Sequence, residues 1–183
     1  MLEELFLVRH AEPDRSLAMP YNIMPGPPLT PRGREEAAQA AAWLEGKGVE
    51  YLFASPFERA SATADIIVDR LGLPITYTQI LREGGPGESL DQIQTRVGEL
   101  LAQLDDGPLR RVALVSHGAC LRGLLRHSTG NRIDLSRHNY DYGNNTPTAG
   151  IWHGQRREGA WVWNLAFRPV FAGQAAEEVR SKK

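Results

Sequence analysis

The chain has one cysteine, Cys120, among 183 residues. That excludes an internal disulfide and a cysteine-built metal centre, and it suits a reducing compartment, so a cytoplasmic location is expected. A surplus of charge is also missing: 21 Lys and Arg stand against 22 Asp and Glu, for a formal net charge of -1. Proteins that gather a polyanion by bulk electrostatics carry a basic excess on a face or tail, so no nucleic-acid partner is expected. Long apolar runs are absent too. None approaches the ~20 residues needed to cross a bilayer. Glu3 and Glu4 precede a first apolar run of only Leu5 to Val8, so neither a membrane partner nor a signal peptide is expected. No Gly-x-x-x-x-Gly-Lys run occurs, which removes a nucleotide P-loop.

What remains is an ordinary globular composition, 42% hydrophobic and 23% charged, over a length that suits one domain spanning residues 1–183. Apolar stretches at 4–8, 51–54, 75–78 and 111–116 read as strands, and helical patterns follow at about 31–44, 58–71, 89–104 and 118–128. Thr30 is the expected N-cap of the first helix, with Pro31 at its first position. Residues 148–153 and 161–167 read as a hairpin, with Gly154 to Gly159 between them. Strands alternating with helices predict an α/β three-layer sandwich with a mostly parallel central sheet and an antiparallel C-terminal hairpin at one edge. The last dozen residues read as a surface helix or a frayed tail.

The chemistry-bearing residues gather at the expected strand ends. Leu5-Phe6-Leu7-Val8 runs into Arg9 and His10, and Val112-Ala113-Leu114-Val115 runs into Ser116, His117 and Gly118. Open α/β sheets bind ligands outside the carboxyl ends of their strands, so the two histidines are expected in one crevice. An imidazole nitrogen can attack phosphorus and divide one hard displacement into two, which makes His10 a candidate nucleophile. Arg9 and Arg59 are candidate clamps, because guanidinium donors match phosphate oxygens two at a time. Arg59 also opens a helix, where free backbone N–H groups favour an anion. Glu83 follows the third strand and is a candidate proton donor to a departing alkoxide. Each of these alone has a plainer explanation as a surface pair, a helix cap, a solvated helix residue or a loop carboxylate. Convergence on one rim is what points to phosphate chemistry.

Leu7-Val8-Arg9-His10-Ala11-Glu12, Leu29-Thr30-Pro31-Arg32-Gly33, Ser55-Pro56 with Arg59-Ala60 and Thr63-Ala64, and Val115-Ser116-His117-Gly118 together resemble the histidine phosphatase superfamily, also called phosphoglycerate mutase-like. The resemblance implies that His10 is the phosphorylated nucleophile and that Arg9, Arg59 and His117 complete the phosphate pocket. It also implies that Glu83 is the general acid, later the base that activates water, and that no metal or other cofactor takes part. Three positions depart from the family pattern. Ala11 stands where glycine is common, a tolerable change if the turn needs no positive φ. Ser16 stands where an asparagine often meets the phosphate, and its hydroxyl is the expected substitute donor. The run after Glu83 is compressed to Gly84-Gly85-Pro86-Gly87-Glu88-Ser89, which makes Glu88 the reserve acid.

Cys120 and Arg126 satisfy the Cys-x5-Arg spacing of cysteine-dependent phosphatases, but the residues between them are mostly apolar and continue a helix, so Cys120 reads as a small buried residue. His127, His138 and His153 lack metal-ligand spacing, and Trp152, Trp161 and Trp163 read as packing. The expected activity is hydrolysis of a small phosphorylated metabolite. The alternatives are a phosphoglycerate mutase-type phosphotransferase and a catalytically silent phospho-ligand module. Such mutases keep water from phosphohistidine with extra covering segments, for which 183 residues leave little room. A silent module has no need of both an imidazole nucleophile and a carboxylic acid. Groups binding the alcohol are expected in 16–28, 84–88 and 132–145, with Arg132 and Arg137 as candidates for a further anionic group.

Overall fold

Strand β1 (Glu4–Arg9) is buried on both faces because its apolar residues leave none for solvent. Alternation sends Phe6 and Val8 to one core and Leu5 and Leu7 to the other. The chain continues as α1 (Pro31–Leu44), β2 (Tyr51–Ala54), α2 (Glu58–Leu71), β3 (Ile75–Tyr77), α3 (Leu90–Asp106), β4 (Arg111–Ser116), α4 (Gly118–Ser128), β5 (Ile151–Arg157) and β6 (Ala160–Phe167). The computed structural model describes residues 1–171. The tail expected beyond them lies outside the described residues.

The strands form one sheet in the order β3-β2-β4-β1-β5-β6. The first four of that order are mutually parallel, while β5 runs antiparallel to β1 and β6 antiparallel to β5. This is the expected α/β sandwich with its hairpin at one edge. Helices α1 and α2 supply Ala37, Ala40, Ala64 and Ile67 to one core, and α3 and α4 supply Ile93, Val97, Leu121 and Leu124 to the other. Full burial of a Leu, Ile or Val side chain stabilises by roughly 1.5–3 kcal/mol.

Local signals set the helix boundaries. The Thr30 hydroxyl accepts from the Gly33 N–H with Pro31 beginning α1, and Ser89 and Gln92 form a reciprocal capping box on α3. Gly72 closes α2 in the left-handed conformation. The hairpin differs from expectation: β5 continues through Gly154 to Arg157, and the turn is only Glu158 and Gly159, with φ of 50° and 82°. Gly154 is a strand residue because the Trp163 ring packs across it, and a Cβ there would stand 2.6 Å from the ring. A glycine that reads as a turn signal is here a seat for an aromatic ring.

The fold's decisive feature for the site is the β1–β4 pair. The strands are adjacent and parallel, with Arg9 opposite Ser116, yet β1 leads to α1 on one face and β4 leads directly to α4 on the other. The chains diverge there and open a crevice at the strand ends. His10 and His117 are the next residues on each chain.

Candidate active site

Arg9 ends β1 and is almost fully buried at 1% exposure. A buried guanidinium requires partners. Its Nη1 and Nη2 donate to Asp141 Oδ1 and Oδ2 at 2.9 and 2.8 Å, and Nη1 also donates to the Thr146 carbonyl at 2.7 Å. His10 follows with its Nδ1 2.8 Å from the Ala11 carbonyl. A carbonyl only accepts, so Nδ1 carries the proton and the lone pair lies on Nε2. The Tyr21 hydroxyl stands 3.2 Å from that Nε2 and is placed to donate to it. Burial, then the charges of Arg9, His117 and Arg59, hold the His10 imidazole well below its ordinary pKa against the pull of the Ala11 carbonyl. His10 is therefore neutral, with an available nitrogen.

Arg59 in the first turn of α2 has a fully buried side chain. Its Nη2 donates to Glu83 Oε2 at 3.1 Å and its Nη1 to the Tyr21 carbonyl at 3.1 Å, and the guanidinium lies 3.9 Å from the Tyr21 ring centroid. Close approach here depends on Gly26, whose φ is +73° and where a Cβ would stand 2.7 Å from Arg59 Nη1. His117 Nε2 and Ser55 Oγ are 2.8 Å apart, and the His117 ring centroid is 5.3 Å from that of His10. Burial pushes the His117 pKa down, Glu83 opposes, and Arg59 and Arg9 add to the depression.

Glu83 Oε2 lies 3.3 Å from His117 Nδ1, and its Oε1 accepts the Gly84 N–H at 3.0 Å. Burial raises its pKa, but His117, Arg59 and the Gly84 N–H outweigh that and bring it down to about 2. The crevice thus assembles Arg9, His10, Arg59, Glu83 and His117. The ligand atoms of His10, Glu83 and His117 fall within 4.8 Å of one another, close enough to hold a metal ion. Two guanidinium groups beside them make the local field favour an anion instead.

Glu88 is placed differently. Arg82 Nη1 and Arg96 Nε each donate to it at 2.7 Å, and hydrogen bonding from Arg96 foremost, then from Arg82, brings its pKa to about 2. It clips the 82–88 loop to α3 rather than joining the crevice. Ser16 is exposed, and its hydroxyl donates to Asp14 Oδ1 at 2.6 Å instead of to a crevice residue. Ala11 is fully buried, does not have positive φ, and donates its N–H to Thr63 Oγ1 at 3.0 Å. Cys120 and Arg126 lie within α4, whose backbone is hydrogen-bonded as helix, and burial pushes the Cys120 thiol up. Arg132 Nε donates to the Thr129 carbonyl at 3.1 Å and lines a cavity with Trp161 and Trp163. His153 stacks on Phe6 and His138 meets Trp152 edge-on.

Tyr21 and Asp141 lie within the stretches 16–28 and 132–145 expected to face the site but are not named by the sequence pattern, and Thr146 lies just beyond them. Asp141 is 132 positions from Arg9, and no local signal links them. Its carboxylate is nevertheless the counter-charge that keeps Arg9 buried.

Among curated proteins, the chain is similar to the Uncharacterized phosphatase PhoE of Bacillus subtilis (strain 168), 26% identical over 152 residues that cover 70% of this chain and 79% of the relative. It is also similar to a Probable phosphoglycerate mutase GpmB of Cronobacter sakazakii, 28% identical over 156 residues, 67% of this chain and 73% of the relative. Among solved structures, a mycobacterial glucosyl-3-phosphoglycerate phosphatase in complex with VO3 superposes with a TM-score of 0.72 at 20% identity, covering 92% of this chain and 100% of that one. A putative alpha-ribazole-5'-P phosphatase from Escherichia coli gives 0.73 at 20% identity, covering 89% and 96%. These structural likenesses show the shared fold. The family profile of the Histidine phosphatase superfamily (branch 1) matches residues 5–85 and 83–161. The crevice between β1 and β4 is thus built on a chain that belongs to the histidine phosphatase superfamily.

Proposed function

We propose that this protein hydrolyses a small phosphomonoester through a phosphohistidine at His10, without a metal. One observation carries the reading. Two buried donors at the crevice, Arg9 Nε and Arg59 Nε, have no hydrogen-bond partner among the described residues. Buried unpaired donors are costly unless a ligand satisfies them. A phosphoryl group beside His10 Nε2 supplies oxygens to accept from them.

The reaction then runs in two steps. His10 Nε2 attacks phosphorus, and the bond from phosphorus to the alcohol oxygen breaks in line. Arg9 and Arg59, joined by His117 once the arriving dianion favours its protonation, offset the charge on the transferring oxygens. The departing oxygen needs a proton, for which Glu83 is the donor. Its resting pKa of about 2 follows from its pairing with His117 and Arg59. An incoming dianion draws both partners away and adds like charge, which raises the carboxyl and lets it take up the proton that it delivers. In the second step Glu83, now a carboxylate, removes a proton from water. That water attacks phosphorus and releases phosphate, restoring neutral His10. Glu83 is suited to this because its side chain is 14% exposed while those of Arg59 and His117 are fully buried.

The second reading, phosphotransfer between alcohols, is favoured by the relative named as a probable mutase. Incubation with radiolabelled phosphomonoester decides. Acid-labile label on wild type, none on His10→Ala, and phosphate release outpacing exchange between phosphoglycerate isomers are expected. Exchange outpacing release favours the mutase. No label and no hydrolysis of any phosphomonoester from pH 5 to 8 means a silent module. The single buried thiol suits a cytoplasmic setting for this activity.

A further inference from the structure

Arg15 lies one ring away from the crevice and takes no part in the chemistry above. Its guanidinium carbon is 4.2 Å from the ring centroids of both Tyr21 and Tyr142. Since Tyr21 also carries Arg59 at 3.9 Å, a chain of cation–ring contacts runs Arg59, Tyr21, Arg15, Tyr142. Ring stacking uses the planar face of a guanidinium and leaves its N–H edge for a carboxylate or phosphate. No carboxylate of the described residues pairs with Arg15 within 4.0 Å.

Two like charges sharing one ring are unfavourable by themselves. Burial foremost, with the Arg15 charge adding to it, disfavours the Arg59 cation. A second anion near Arg15 relieves that repulsion. Space for it exists: Arg15 and Tyr142 line a cavity of about 480 Å³ with Glu12, Thr30, Asp141 and Thr148. Of the two carboxylates there, Asp141 is held by Arg9, and Glu12 accepts the Thr30 hydroxyl at 2.6 Å. Tyr142 itself is 77% exposed on a left-handed backbone, φ 54°. Non-glycine residues held on a left-handed backbone cluster at ligand clamps and active sites.

We propose that Arg15 recognises a second anionic group, a carboxylate or a phosphate, on the alcohol half of the phosphomonoester, with Tyr21 and Tyr142 holding its guanidinium in place. This rests on the phosphatase reading and narrows its substrate class. The phosphoryl group itself belongs at His10, so the anion met by Arg15 is a different one.

The test compares kcat/KM for ethyl phosphate, phosphoglycolate and ethylene glycol bisphosphate, which share a two-carbon alcohol and differ in its far group. Wild type is expected to prefer an anion-bearing ester by about tenfold or more, the scale of one charged hydrogen-bonding contact. The arm with the larger preference identifies carboxylate or phosphate. Arg15→Gln is expected to bring that ratio near one, Arg15→Lys to keep an intermediate value, and Arg15→Glu to invert it. Ratios taken within one variant cancel general damage to folding or turnover. A wild-type ratio near one, or a ratio unchanged in Arg15→Gln, overturns the inference while leaving the phosphatase reading intact. Failure to hydrolyse all three esters together with a broad phosphomonoester panel overturns both.

Discussion

Tyr21 Oη stands 3.2 Å from His10 Nε2, the one ring nitrogen that the Ala11 carbonyl leaves unprotonated. In the resting protein that nitrogen is capped, and in the proposed reaction the hydroxyl yields when phosphorus approaches. A donor on this lone pair favours neutral imidazole. Tyr21→Phe is therefore expected to raise the His10 pKa and move the acid limb of the kcat/KM profile to higher pH. An acid limb that stays in place or moves to lower pH contradicts this.

His10→Ala is expected to lower kcat by a factor of about a thousand or more and to abolish the phosphoenzyme. Glu83→Gln is expected to lower kcat by about a hundredfold to ten-thousandfold for alkyl esters. The loss is expected to be much smaller for nitrophenyl phosphate, whose leaving oxygen needs little protonation. Equal losses on both ester types would remove Glu83 from the role of acid.

Asp141 is a surface residue that serves a buried one. Its side chain is 38% exposed while that of Arg9 is 2% exposed. Breaking a fully buried pair costs about 3–5 kcal/mol, and solvent access on the Asp141 side reduces this to about 1–3 kcal/mol for Asp141→Ala. Urea denaturation measures the loss, and an increase in KM is expected with it because Arg9 is no longer held. Unchanged stability and KM would mean that Arg9 keeps its place without this partner.

Acid stability has two regimes. Neutral His10 and His117 are depressed by burial first, so as pH falls through 6.5 the unfolded chain binds protons that the folded one does not, and stability decreases. Glu83 and Glu88, down at about 2, add a second loss as pH falls from 4.5 towards 2, because there too the unfolded chain binds more protons. Glu88→Gln is expected to flatten the lower regime only. Melting temperatures recorded against pH for both proteins separate the two, and an unaltered slope below pH 4.5 contradicts the assignment.

The sheet and the histidine crevice were legible because their signals are local. An apolar run that leads into a charged or imidazole residue states both the strand and its exit, and the six-residue strands β1 and β4 lead directly to His10 and His117. Arg59 and Glu83 follow their strands closely and come to the same rim for the same reason. Asp141 was illegible, since its pairing with Arg9 depends on how a long loop returns to the sheet. Ser16 shows the opposite difficulty. Its hydroxyl satisfies itself on Asp14 two residues away, a local bond that competes with any distant role. Gly154 reads as punctuation until the ring of Trp163 is seen above it.

The Glu88 clip has one more consequence. Arg82 and Arg96 grip its carboxylate, and the Gly85 N–H donates to the same group at 3.0 Å. Glu83 therefore hangs from an arch bolted at its feet, with Gly84 to Gly87 as its span. The two arginine bonds lie outside that span, while the Gly85 and Gly84 N–H groups tie the span itself to Glu88 and Glu83. The arch thus couples two carboxylates five residues apart, so a change at the Glu88 clip is felt at Glu83 through the backbone between them.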